Sequence, residues 1–241
     1  MPAQEILILA FTRMRSGLCT AGFCSQRDPV SCLRWVRPVK EHSSLQLGDL
    51  TDRSGRVIQC GDVIELEMLR PRSEPPHVED WICDWVRHRP RLLRRLEGDR
   101  WARLLANHVD REPADVMLRH TRSLCLVHPD EVWAHFHLDR YSGKYDARLG
   151  FRIAGVEHAA AASPRGVTVT DIKWRAQGRA WLGDVESELT LTRGQLLERL
   201  AANDLFLALG LSRGFQGEYW LLVVGVHVVP DYSVTLDYAA V

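Results

Sequence analysis

Lysine is scarce in this chain of 241 residues, and so is any excess of one charge sign. Lysine occurs only at positions 40, 144 and 173, and the 31 lysines and arginines equal the 31 aspartates and glutamates. Net charge therefore gives no general attraction to polyanions, so a basic surface would have to come from local clusters of arginine. One cluster lies between Arg87 and Arg103, where seven arginines accompany only Glu97 and Asp99.

Long hydrophobic runs and export signals are also missing. The longest apolar run, 219–230, is too short to span a bilayer, and its valines favour a buried strand. No positively charged segment precedes the first apolar run, as a secretory signal requires. The six cysteines have irregular spacings that suit reduced thiols. We therefore expect a cytoplasmic protein with no membrane contact.

Recognisable catalytic signatures are absent as well. The sequence has no Gly-x-Ser-x-Gly, no His-Glu-x-x-His, no P-loop and no dinucleotide-binding glycine motif. His135 and His137 leave a divalent-metal hydrolase centre open, and Cys19, Cys24 and Cys32 leave a zinc site open. For neither set does the sequence show the further ligand that a complete metal site would need. We therefore expect no metal and no cofactor, and a binding protein rather than an enzyme.

Short apolar segments separated by turn signals predict a mainly β (α+β) protein. In the first part, strands are predicted at 6–12, 33–39, 56–60 and 63–69, which is enough for a small barrel. A proline-rich break at 71–76 ends this unit. Helical periodicity follows from Trp81 to His120, with Asp99 as an N-cap.

The remainder returns to strands with one helix between them. Strands are predicted at 123–127, 132–138, 147–154, 166–175, 180–183, 188–191 and 219–229. Thr192 and Gln195 have the spacing of a capping box, which predicts that a helix begins there.

The strand from Arg34 to Lys40 is the first candidate for ligand contact. Arg34 and Arg37 flank Trp35, and guanidinium groups beside an indole suit a phosphate backbone and a base face. Alternation places Trp35 and Arg37 on one face of the strand. Trp35 either fills the barrel core or points outward and stacks on a base.

The segment from Thr170 to Arg175 repeats this pattern in the second half. In the predicted strand, Trp174 lies between Lys173 and Arg175, which share a face. Two cations on one side match successive contacts along a backbone, and a solvated strand surface would have the same pattern.

The loop from Gly210 to Gly214 is the third candidate. Its backbone amides and the Ser212 hydroxyl suit a phosphate, with Arg213 closing over it. The alternative is a plain glycine-rich loop.

A series of short segments is spread along the chain: Cys19-Thr20-Ala21-Gly22, Trp35-Val36-Arg37-Pro38-Val39, Gly61-Asp62-Val63, 76–81 (PHVEDW), and 206–213 followed by 219–229. Together they resemble the prokaryotic dual OB-containing domain family over nearly the whole chain. The resemblance implies two OB-like β-barrels joined by a helical segment. We accordingly predict a first barrel at 1–76, a helical connection at 77–120, and a second barrel with an inserted helix at 121–241.

The resemblance also implies nucleic-acid binding in a bacterial defence or mobile-element context, for example against viruses. We favour single-stranded DNA or RNA as the ligand. The candidate contact residues are Arg34, Trp35, Arg37, Lys40, Lys173, Trp174, Arg175 and Arg213. Two alternatives stay open, namely a protein-interaction adaptor or sensor with a partner protein in such an assembly, and a metal-dependent nuclease or nucleotide hydrolase.

Overall fold

The computed structural model describes residues 3–14, 16–27 and 34–238. The first part of the chain contains β1 (Ala3–Met14), β2 (Gly17–Cys24), β3 (Trp35–Val39), β4 (Asp62–Pro71), β5 (Asp80–Cys83), β6 (Arg91–Arg95), α1 (Gly98–Asn107) and α2 (Ala114–Met117). The second part contains β7 (Leu124–Val127), β8 (Glu131–Leu138), β9 (Tyr145–Arg152), β10 (Val167–Thr168), α3 (Ile172–Leu182), β11 (Glu188–Thr192), α4 (Arg193–Arg199), β12 (Asp204–Leu211) and β13 (Leu221–Val229).

The first five strands close into a barrel. Their order is β1-β2-β3-β5-β4, and a pairing between β4 and β1 completes the ring. Only the contact of β3 with β5 is parallel. A bulge between Ile8 and Ala10 bends β1, which pairs with β2 and with β4. This is the five-stranded arrangement of an OB fold, so the predicted mainly β, OB-like class is confirmed.

The second half forms two sheets around one core. Their strand orders are β10-β9-β8-β11 and β13-β12-β7, and a parallel bridge between Val169 and Val223 connects them. Phe136, Phe151 and Trp174 are fully buried at the centre of this core. Apolar side chains from both sheets thus enclose a second barrel-like interior.

The outer face of β2 and β3 is covered by α1 and by strands of the second half. Phe23 and Trp35 from these strands share a buried cluster with Trp101 of α1, Leu126 of β7 and Phe206 of β12. OB folds bind their ligands on this strand face. Here only the end of the face near Cys19 and Arg37 lines an open cleft.

Several sequence predictions about secondary structure were wrong. The expected strands at 166–175 and 180–183 are largely helix α3, because Asp171 caps it by accepting a hydrogen bond from Trp174 N at 3.1 Å. The expected helical stretch from Trp81 to His120 contains β5 and β6 before α1. Glu97, rather than Asp99, is the N-cap residue of α1.

Other predictions were confirmed or stay untested. The capping box of Thr192 and Gln195 is present at α4. The segment 56–60 forms only a bridge from Val57 to Thr51, and Leu33 lies outside the described residues. The boundaries at 76 and 120 stay predictions. Within the described ranges, no helix has the length and apolarity needed to cross a membrane.

Candidate nucleic-acid interface

A cleft of about 1150 Å³ lies where the first barrel meets the second half. The ends of β1, β2 and β3 form one wall, and residues 168–170 and 210–224 contribute to the other. Five cationic side chains line it: Arg13, Arg37, Lys40, Arg72 and Arg213. Glu41 is the single carboxylate among the described residues that line it. The cleft therefore concentrates positive charge in a molecule with no net charge.

A buried carboxylate, that of Asp80, organises three of these cations. Its side chain is 1% exposed and lies 3.0 Å from Arg37 Nη1, 2.6 Å from Arg213 Nη2 and 3.6 Å from Arg72 Nη2. The side chain of Arg37 is buried, whereas that of Arg213 is 46% exposed. Asp80 thus fixes the direction of a guanidinium group that still presents N–H donors to the cleft.

Hydrogen bonds accepted by Glu79 join the two halves beneath the cleft. Its carboxylate accepts from Ser123 N at 2.9 Å, from Ser123 Oγ at 2.9 Å and from Leu124 N at 3.0 Å. Arg37 Nη2 donates to the same Ser123 Oγ at 2.7 Å. Four buried hydrogen bonds therefore tie the first barrel to the start of β7.

His77 completes this network as a neutral base. Its Nδ1 lies 2.9 Å from Arg37 Nη1, so it accepts a hydrogen bond from that guanidinium. Burial, with added repulsion from Arg37 and Arg213, lowers the pKa of His77 to about 3. The imidazole therefore adds no charge to the cleft at neutral pH.

Two exposed aromatic side chains stand in the cleft. Phe215 is 60% exposed and Trp220 is 52% exposed, and their ring centroids are 6.1 Å apart. They flank a tight turn closed by a bridge between Phe215 and Glu218, with positive φ at Gln216 and Gly217. Aromatic faces beside cationic groups can stack bases while the cations hold phosphates.

With these strands and this cleft in place, the comparison with known families is decisive. The model of the dual OB-containing domain matches residues 4–226. The chain belongs to this family. Comparisons of the dual OB protein with curated proteins and with solved structures gave no significant match.

Three of the predicted contact residues line the cleft of this dual OB protein. They are Arg37, Lys40 and Arg213. Lys40 Nζ lies 2.6 Å from Asp49 Oδ2, and Arg37 is enclosed by Asp80, His77 and Ser123. Arg213 is therefore the predicted residue best placed to touch a ligand.

Trp35 lies outside the barrel interior but is not accessible. It is 3% exposed, packs edge-on against Phe23 with ring centroids 4.6 Å apart, and donates from Nε1 to Asp110 at 3.4 Å. An outward indole was expected to be free to stack on a base, but this one is not, because α1 and strands of the second half cover it. Arg34 is exposed but does not line the cleft, and its Nη1 lies 3.3 Å from His108 Nε2.

Lys173, Trp174 and Arg175 are on helix α3 rather than on a strand. Trp174 is fully buried, so it has no face to offer to a base. Lys173 pairs with Asp231 at 2.7 Å and stacks on Tyr232. Arg175 lines a second, smaller pocket.

Within the ranges the structure describes, no three His, Cys, Asp or Glu side chains are grouped to hold a metal ion. His135 Nδ1 instead lies 3.2 Å from Thr190 Oγ1. Cys19 lines the cleft whereas Cys24 packs in the barrel core, and Cys32 lies outside the described residues.

Sequence reasoning missed Phe215 and Trp220. The available signal was a turn-forming glycine, Gly217, in a short polar segment between the aromatic residues Phe215 and Tyr219. Aromatic side chains next to a solvent-exposed turn have less core to enter than those in the middle of a strand.

Proposed function

We propose that this dual OB protein binds single-stranded nucleic acid in the cleft between its two halves. The observation that carries the proposal is the combination of clustered cations and exposed aromatic faces in one cleft. At about 1150 Å³ it exceeds the roughly 300 to 1,000 Å³ of small-molecule pockets, so it suits several linked nucleotides.

Arg213 is the primary phosphate ligand in this proposal. Its partner Asp80 is buried and holds one edge of the guanidinium, while the exposed part keeps donors for a phosphate oxygen. Arg37 acts as a positioning residue, since it shares Asp80 with Arg213 and is itself enclosed.

Phe215 and Trp220 favour a single strand over a duplex. Bases in a duplex are already stacked on each other, whereas unpaired bases offer free faces to aromatic side chains. Stacking of this kind contributes about 1 to 3 kcal/mol for each base and works with any sequence.

The proposal is tested by titrating labelled single-stranded DNA, single-stranded RNA and duplexes at two salt concentrations. We expect single strands to bind more tightly, and Phe215→Ala and Trp220→Ala each to weaken binding about 5- to 150-fold. Arg213→Ala should lower the slope of log affinity against log salt by about 0.7. The matched controls are Tyr141→Ala and Arg152→Ala. Tyr141 is an exposed aromatic residue and Arg152 an exposed arginine, and both lie outside the cleft lining.

Three outcomes would contradict the proposal. Equal effects of the cleft variants and their controls would place the contact surface elsewhere. Failure to bind any oligonucleotide at low salt, together with purification of a stoichiometric partner, would favour the adaptor hypothesis. Metal-dependent turnover that is lost in His135→Ala would favour the hydrolase hypothesis.

The proposal also includes a biological setting. A cytoplasmic location in bacteria and a role in antiviral defence, with a partner protein, are expectations from the family resemblance. The same titration decides between DNA and RNA, because only RNA carries the 2′-hydroxyl group.

A further inference from the structure

A second pocket, of about 260 Å³, opens beside the cleft. The described residues that line it are Arg13, Ile172, Arg175, Ala176, Arg179, Thr235, Leu236 and Asp237. Arg13 also lines the main cleft, and its backbone N donates to Thr170 O at 3.2 Å. The two openings therefore meet at the end of β1, where it contacts the segment that leads into α3.

Arg175 and Arg179 form a pair of guanidinium groups in this pocket. They are one helical turn apart on α3, and both lie over the Tyr145 ring, at 4.9 Å and 4.5 Å from its centroid. Their stacking on one ring holds two like charges close together.

Neither member of this pair forms an ion pair with a carboxylate in the part of the chain that the structure describes. Arg175 instead donates to the carbonyls of Val169 at 3.3 Å and Tyr145 at 3.4 Å. Burial, with further repulsion from Arg179 and Arg13, lowers the pKa of Arg175. An anion bound here would relieve this crowding of positive charge.

The lining chemistry selects a phosphate rather than a base. The described lining contains no aromatic side chain, so a base would find no aromatic ring to stack on, and both guanidinium groups of the pair already stack on Tyr145. The volume of about 260 Å³ equals that of roughly nine waters at about 30 Å³ each, which is enough for a hydrated phosphate group. Arg175 and Arg179 supply two guanidinium groups to this lining, and one guanidinium group can donate to two phosphate oxygens at once.

We propose that this pocket binds a phosphate group of the strand that leaves the main cleft past Arg13. This inference rests on the proposed function, because it extends the path of the same ligand. It predicts that the protein contacts more nucleotides than the cleft alone can hold. Because the two contacts are made by one strand, binding at the first should increase the effective affinity of the second.

The test is a length series of oligothymidylates, from about 4 to about 16 nucleotides, which spans the usual site sizes of OB folds. Affinity should rise with length until the strand reaches both openings. In Arg179→Ala the short oligomers should bind as they do to the unmodified protein, while the longest should bind about tenfold more weakly. For the longest oligomers, the slope of log affinity against log salt should be smaller by about 0.7 in Arg179→Ala, because one phosphate contact is lost.

Arg199→Ala is the matched control, because Arg199 is an exposed arginine in the last turn of α4, as Arg179 is in the last turn of α3. Arg175→Ala adds a second measurement, and Arg179→Glu reverses the charge if the half-buried Arg175 is required for folding. Arg179→Glu should reduce the increase of affinity with oligonucleotide length more than Arg179→Ala does.

The two proposals fail in different ways. If short oligomers do not bind at all, the cleft proposal is wrong. If short oligomers bind and the gain with length is unchanged in both Arg179 variants, the cleft proposal stands and the second pocket is not part of the path. An equal loss in Arg199→Ala would also overturn the assignment.

Discussion

Replacement of Asp80 by asparagine tests the buried network on which the cleft depends. The substitution preserves side-chain volume and removes a negative charge that contacts three guanidinium groups at once. Arg37 would then keep a buried positive charge without its ion-pair partner. Breaking a buried pair by removing one partner costs about 3 to 5 kcal/mol.

The structure explains why this cost should lie in the upper range. Arg37 is 5% exposed, so water cannot replace the lost carboxylate without opening the contact between the two halves. The same guanidinium group donates to Ser123, which also donates to Glu79. Disturbing Arg37 therefore disturbs the hydrogen bonds that join β5 to β7.

Urea unfolding followed by circular dichroism measures this cost. With a denaturant dependence of about 2 to 3 kcal/mol/M, the midpoint of Asp80→Asn should fall by about 1 M or more. The matched control is Glu41→Gln, which breaks the exposed ion pair with Arg70 and should leave the urea midpoint nearly unchanged. If Asp80→Asn costs no more than this control, the network does not hold the two halves together.

Three further perturbations follow from the structure. Below pH 6.5 the unfolded chain protonates His77 and the folded chain does not until about pH 3, so stability should fall as the pH decreases through this window. Between pH 7 and pH 5 the free energy of unfolding should fall by about 2 kcal/mol less in His77→Gln than in the unmodified protein. Equal decreases, measured by urea unfolding at the two pH values, would show that His77 is not the group responsible. Gly22→Ala should destabilise by about 3 kcal/mol or more in thermal unfolding, because its Cβ would lie 1.8 Å from Leu7 O, whereas Gly48→Ala has open space and should change little. Thr192→Ala removes the cap of α4 and should cost about 1 kcal/mol, and an unchanged melting temperature would show that the cap is dispensable.

The first barrel could be predicted from sequence because its local and global signals agree. Apolar segments at 6–12 and 63–69 alternate with turn residues, and both form barrel strands. The α3 segment was mispredicted because Lys173, Trp174 and Arg175 alternate in polarity. Over so short a stretch, this pattern fits the period of a helix as well as that of a strand. The deciding contact, from Asp171 to Trp174 N, is visible only when the helix has formed.

The candidate site was predicted in part for a similar reason. Arg37 and Arg213 carry the right chemistry, and the sequence places them far apart in the chain. Asp80 brings them together, and nothing in the spacing of these three residues predicts that they meet. The period-2 pattern placed Trp35 and Arg37 on one strand face but left open whether that face points into or out of the barrel. The covering of the face depends on how α1 and the second half pack against it.

Photocrosslinking tests the central claim most directly, because it reports where an oligonucleotide lies on the protein. A single-stranded oligonucleotide containing 5-bromouracil is irradiated in complex with the protein, and the attached peptides are identified by mass spectrometry. The account predicts attachment at Phe215 or Trp220, and its loss when a long unlabelled single strand competes. Attachment confined to residues outside the cleft, such as the fully exposed Tyr141, would contradict it.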